Sequence, residues 1–158
     1  MRLERRKKRC RYPFGDATVK CVIDASVFVA SARSDEPNYL ISRKFLLEAQ
    51  THEIYSPTLV LAECAAAIAR QTGNPSLAEE LVCIIEDFPG INLISLDIPM
   101  ARKAAQIAVE HRLRGADAVY AAVAVAFNAT LITWDQEMLK RCPPAVETTT
   151  PDHWHKAR

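Results

Sequence analysis

Short β-branched apolar runs, separated by stretches with helical spacing, constrain this chain more than any other feature. Residues 19–23, 53–56, 91–96 and 130–134 are each too short for a buried helix, and they read as strands, with a further strand expected at residues 145–149. Between them the apolar positions recur with a period near 3.6. Helices are predicted over residues 25–32, from Glu36-Pro37 to Gln50, from Pro57-Thr58 to Gln71, from Asn74-Pro75-Ser76 to about Phe88, over residues 98–113, and over residues 136–140. Gly73 is predicted to stop the third of these, and Gly115 to separate the fifth from an almost uncharged helix that begins at Asp117. Strands alternating with helices in this way predict an α/β fold, a single domain with a central parallel sheet of four to five short strands flanked by helices. Residues 1–18 read as a basic N-terminal arm, residues 19–150 as the folded domain and residues 151–158 as a C-terminal tail.

Four carboxylates sit awkwardly in this pattern. Asp24 closes the apolar run Val22-Ile23, Glu63 lies just after Leu59-Val60-Leu61-Ala62, Asp117 opens an apolar helix and Asp135 ends Leu131-Ile132-Thr133-Trp134. Burying an acid is costly unless something positive neutralises it, and no Lys or Arg occurs within these apolar stretches. A shared hard cation such as Mg²⁺, or Mn²⁺ in its place, accounts for all four, because such ions take oxygen ligands from a few carboxylates and keep waters for a phosphate substrate. Each acid also has a plainer explanation. Asp24, Asp117 and Asp135 suit helix N-caps, Glu63 suits an ion pair, and Asp97 at a strand end is best read as a cap. Asp24 and Asp135 both follow strands, which predicts that they share the carboxyl edge of the sheet, where ligands bind in such folds.

Composition narrows the class. The 158 residues, 49% hydrophobic and 25% charged, suit one globular domain. Net charge is +1 but uneven: seven Arg and Lys against Glu4 make residues 1–15 +6, so the remainder is −5. The basic segment suits phosphates or an acidic partner. Five widely spaced cysteines read as reduced core thiols of a cytoplasmic protein, with no spacing suited to zinc. No uncharged run reaches the length of a membrane span, and no secretory signal follows the basic start.

The motifs Val22-Ile23-Asp24-Ala25-Ser26, Leu61-Ala62-Glu63, Arg114-Gly115-Ala116-Asp117-Ala118-Val119-Tyr120-Ala121-Ala122 and Leu131-Ile132-Thr133-Trp134-Asp135 together resemble the PIN-domain nucleases, most closely the VapC-type toxins of toxin–antitoxin pairs. The resemblance spans residues 19–149. It implies a Mg²⁺- or Mn²⁺-dependent endoribonuclease in which Asp24, Glu63, Asp117 and Asp135 bind metal and carry catalysis. Ser26 and Thr133 match the family's hydroxyl residues beside the first and last acids, and would orient carboxylates or bound water. It further implies an RNA substrate, a cognate antitoxin protein and a homodimer. In the implied chemistry one ion makes a bound water more acidic and a second stabilises the leaving oxygen. The helices at residues 40–47 and 77–85 are candidates for the antitoxin groove.

Arg112 and Arg114 are candidate contacts to RNA phosphates. Trp134 is a candidate for stacking on a base, against core packing as the plainer role. His153-Trp154-His155 makes a poor metal site. A haloacid-dehalogenase-like phosphatase needs a second Asp two residues after Asp24, where Ser26 stands, and a dinucleotide-binding enzyme needs a Gly-x-Gly-x-x-Gly that this chain lacks. The alternatives within the PIN reading are a housekeeping RNA-processing nuclease and a non-catalytic binding module, the latter disfavoured by the presence of all four acids.

Overall fold

A computed structural model describes residues 18–154; the basic arm, Cys10 within it and the end of the chain after Trp154 lie outside the described residues, apart from residue 18. Five strands, β1 (Lys20–Ile23), β2 (Glu53–Pro57), β3 (Ile91–Ile94), β4 (Thr130–Ile132) and β5 (Thr148–Thr149), form one parallel sheet in the order β3-β2-β1-β4-β5. β1 is central, with Val22 paired to Tyr55 on one side and to Leu131 on the other. Its Cys21, Val22 and Ile23 are fully buried, as a strand covered on both faces requires.

The helices among the described residues are α1 (Ala25–Ala32), α2 (Tyr39–Ala49), α3 (Leu59–Thr72), α4 (Pro75–Glu86), α5 (Ile98–His111), α6 (Gly115–Phe127) and α7 (Gln136–Arg141). α6 is buried at every position from 117 to 124, because it packs on β1, β2 and β4 while α5 covers its outer side. Its alanines allow that close approach. α1, α2, α3 and α4 pack together in a second group, where Phe28 of α1 meets Phe88 edge-on at 6.0 Å.

Several boundaries differ from expectation. α2 starts at Tyr39 rather than Glu36, because Arg33 draws Asp35 and Glu36 into ion pairs and the segment forms turns closed by Glu36 N–H on Arg33 O and Tyr39 N–H on Glu36 O. Pro57 ends β2 instead of opening α3, and the Thr58 N–H stays with the sheet by donating to Ile94 O. Gly115 is not a helix stop. Arg112 takes the left-handed conformation that ends α5 (φ 53°), and Gly115 is the first residue of α6. Asp117 is therefore inside the first turn and not an N-cap. Gly73 does end α3, with φ 65°. Asp97 caps α5 by accepting from Met100 N–H at 2.9 Å.

The cysteines divide. Cys21 and Cys64 are core thiols as expected, but Cys83 is exposed, because α4 turns Ala78, Leu81 and Ile85 inward and leaves position 83 off that face. In the expected tail, Pro151 and Trp154 are buried, and Trp154 packs edge-on to Phe45 at 5.7 Å. Among the described residues no helix is long and apolar enough to cross a membrane.

Candidate active site

The chain builds β2 and β3 on one side of β1 and then returns to build β4 and β5 on the other, so the strand order reverses between β1 and β4. Ligand crevices form at such a reversal, at the carboxyl ends of the strands. Asp24 follows β1 there, and Asp135 lies three residues after β4. α3 brings Glu63 and α6 brings Asp117 to the same place. All four acids line one cavity of about 630 Å³, together with Ser26 and Arg114.

Asp24 is the most fixed of the four. It is 6% exposed, and its Oδ2 accepts from Ser26 Oγ at 2.5 Å, Thr133 Oγ1 at 2.8 Å and Ser26 N–H at 3.3 Å. Ser26 Oγ in turn accepts from Trp134 N–H, and Thr133 Oγ1 from Asp135 N–H. The two hydroxyls thus tie the end of β1 to the segment after β4. Burial pushes the Asp24 carboxyl above its ordinary range, those hydrogen bonds pull it back in part, and the charge of Asp117 adds to the rise. Asp24 and Asp135 are also N-caps, of α1 and α7 respectively, so capping and membership of the cluster coincide.

Asp135 Oδ1 accepts the Glu137 and Met138 N–H groups. Burial raises this carboxyl, but those backbone donors and Arg114 outweigh it and hold Asp135 below its ordinary range. Glu63 accepts from the Tyr120 hydroxyl at 2.5 Å. Its pKa is raised first by burial and further by the charges of Asp24 and Asp117, while Tyr120 and Arg114 oppose the rise. Asp117 is likewise raised by burial and opposed by Arg114. The Tyr120 hydroxyl, buried beside Asp24 and Glu63, is pushed far above its ordinary value and keeps its proton.

Arg114, a candidate contact to RNA phosphates by sequence, supplies positive charge to two of these acids from outside the apolar stretches that carry them. Its Nε donates to Asp117 at 2.7 Å and its other end to Asp135 at 2.5 Å, so one guanidinium bridges two of the four carboxylates. The pair joins residues 21 positions apart and depends on α6 starting beside the end of β4, which local patterning does not reveal. Arg112 takes no part in the cavity lining; it is exposed, and its carbonyl accepts from Arg141. Trp134 packs against the core, the plainer of the two roles considered for it. It is half-buried, its indole N–H donates to Ser42 at 2.9 Å, and it lines the cavity.

The donor chemistry fits a hard divalent cation, which prefers carboxylate oxygens. Asp24 Oδ1 and Glu63 Oε1 accept no hydrogen bond among the described residues, and the charge of Asp117 adds to the rise at Asp24 while those of Asp24 and Asp117 add to the rise at Glu63, a repulsion that a cation would relieve. As arranged, no three His, Cys, Asp or Glu side chains among the described residues are gathered closely enough to hold a metal ion, and two of the acids converge on Arg114 instead. Tyr120 and Ser42 are the polar partners that sequence reading did not single out. A tyrosine amid Val119, Ala121 and Ala122 was the available signal, since a buried hydroxyl requires a partner.

No curated protein matches the chain. Among solved structures it is similar to VapC20 of Mycobacterium tuberculosis, described as a Sarcin-Ricin loop cleaving toxin, at a TM-score of 0.68 and 15% identity over 80% of this chain and 98% of that one. FitAcB of Neisseria gonorrhoeae gives 0.64 and 22% over 84% and 99%. VapBC2 of Rickettsia felis, solved bound to a DNA fragment from its promoter, gives 0.64 and 18% over 84% and 98%. At these identities the likeness concerns the fold. The PIN domain profile matches residues 21–142, from the first strand to the end of α7, and on that match the chain belongs to the PIN domain family.

Proposed function

We propose that this protein is a Mg²⁺- or Mn²⁺-dependent endoribonuclease of the cytoplasm, acting as the toxin of a toxin–antitoxin pair. The observation that carries the reading is the convergence of Asp24, Glu63, Asp117 and Asp135, drawn from four separate elements, on one cavity at the strand-order reversal. Four acids spread over some 110 residues have no common structural need to meet. Similarity of fold to VapC20 and to the VapBC and FitAB toxins supports the toxin assignment.

In this reading the four acids hold the metal, and Ser26 and Thr133 keep Asp24 in a single orientation for it. A bound divalent cation would supply Lewis-acid stabilisation of the phosphate and a more acidic water. Asp135, held ionised by the N-terminus of α7, presents a carboxylate at any working pH. Trp134 lines the cavity, where its ring would be available to stack on a nucleobase. Arg114 pairs with Asp117 and Asp135, so a cation would compete with it for those carboxylates, and a guanidinium freed from them would be able to pair with a phosphate.

That competition is measurable. Because the Arg114 side chain is 68% exposed, each of its ion pairs should be worth no more than about 1 kcal/mol, so Arg114→Gln is expected to tighten Mn²⁺ binding by about 5-fold in a calorimetric titration. Unchanged affinity would mean the guanidinium does not share the ion's ligands.

An antitoxin has a ready surface. α2 and α4 flank a second cavity of about 290 Å³ lined by Leu46, Leu47, Leu77, Leu81, Ile84 and Phe88, with Leu47 and Ile84 exposed. An apolar helix of the antitoxin would lie there. A homodimer is part of the same reading and is tested by sizing at micromolar concentration. The substrate class is tested by incubating the chain with Mg²⁺ and either total RNA or single-stranded DNA. Discrete cuts confined to RNA are expected; cleavage of DNA alone would overturn the ribonuclease reading.

A further inference from the structure

Glu63 differs from the other three acids in how it is held. Asp24 is fixed by two hydroxyls and a backbone N–H, Asp135 by two backbone N–H groups and Arg114, and Asp117 by Arg114. Glu63 lies in the second turn of α3, on a long side chain, and its carboxylate accepts from no backbone N–H among the described residues. Its only side-chain hydrogen bond among the described residues comes from the Tyr120 hydroxyl, which meets Oε2 at 2.5 Å.

Tyr120 is suited to this by its position. It stands three residues after Asp117 on α6, about 4.5 Å further along the axis and on the same side of the helix. One helix therefore carries both an acid of the cluster and a donor for a second acid, which belongs to a different helix. The ring is fully buried in the core beside the sheet, so the hydroxyl is anchored from behind and cannot follow a moving glutamate. With Oε2 engaged, Oε1 is the oxygen left to a cation.

We propose that Tyr120 is a positioning residue for Glu63: its hydroxyl fixes the carboxylate so that a single oxygen is presented to the metal. The inference rests on the reading of the four acids as metal ligands. Groups that hydrogen-bond a ligating carboxylate typically contribute about 10- to 100-fold to metal affinity, because an unheld ligand must be ordered as the ion binds. A phenyl ring in place of the phenol keeps nearly all the buried volume and removes only the donor.

The test is a calorimetric Mn²⁺ titration of four forms of the full chain: wild type, Tyr120→Phe, Glu63→Ala and the double variant. Tyr120→Phe is expected to weaken binding about 10-fold or more. In the Glu63→Ala background the same substitution should add nothing, since the carboxylate it acts through is gone. A packing role would instead persist in that background. Equal affinity in wild type and Tyr120→Phe, or an undiminished effect of Tyr120→Phe without Glu63, overturns the positioning role and leaves the metal site standing. Absence of Mn²⁺ binding by the wild type overturns both.

Discussion

Asp24→Asn is expected to lower RNA cleavage by about 10²-fold or more while making the metal-free protein more stable at pH 7. Both effects follow from one arrangement. The carboxylate is 6% exposed, like-charged with Asp117 and Glu63, and surrounded by donors that an amide oxygen can still satisfy. Removing the charge removes a metal ligand and a buried anion together. The sign of the stability effect can be checked against pH. Because burial raises the folded pKa above the ordinary 3.8, ionised Asp24 opposes folding at neutral pH, and that cost is absent below 3.8 where both states are protonated. The gain in Tm for Asp24→Asn should therefore be present at pH 7 and shrink to nothing as pH falls through the raised pKa toward 3.8. Equal Tm values at pH 7 in EDTA would mean the site does not strain the fold. Active sites commonly trade stability for function in this way.

Phe28→Ala should produce the largest loss of stability. Phe28 is 1% exposed, sits on α1 four residues after Asp24, and meets Phe88 edge-on at 6.0 Å with the rings 81° apart. Its removal takes a contact from the group formed by α1, α2, α3 and α4 and leaves a cavity between packed helices that have little room to collapse. Losses of about 3–5 kcal/mol are typical of such truncations, a large part of a total stability of about 5–15 kcal/mol. Urea unfolding should show a lower midpoint with an unchanged slope. A loss below about 1 kcal/mol would mean the Phe28–Phe88 contact is peripheral to the core.

The strands were legible because a parallel sheet covered on both faces needs continuous apolar runs, which residues 21–23 and 131–132 supply, while β2 is marked by Ile54 and Tyr55 alone. The cluster was legible for a related reason: an acid that follows such a run must lie at the sheet's carboxyl edge, and Asp24 and Asp135 both do. What escaped the sequence depends on tertiary juxtaposition. Gly115 carries a stop signal that Arg112 fulfils instead, since a left-handed residue three positions earlier already turns the chain. Arg114 reaches Asp135 only because α6 begins beside β4. Trp154, in a polar terminal segment without periodicity, gives no local sign that it packs on Phe45.

One measurement bears most directly on the central claim that these four acids serve metal-dependent cleavage of RNA. Purified wild-type chain is incubated with total RNA in Mg²⁺, then in excess EDTA, then with Mg²⁺ restored, and the cut ends are mapped. Metal-dependent cleavage at the four acids should give discrete cuts in Mg²⁺, none in EDTA and recovery at the same positions when the metal returns. Cleavage that continues undiminished in EDTA, or intact RNA in all three conditions from folded protein that binds Mn²⁺, would contradict it.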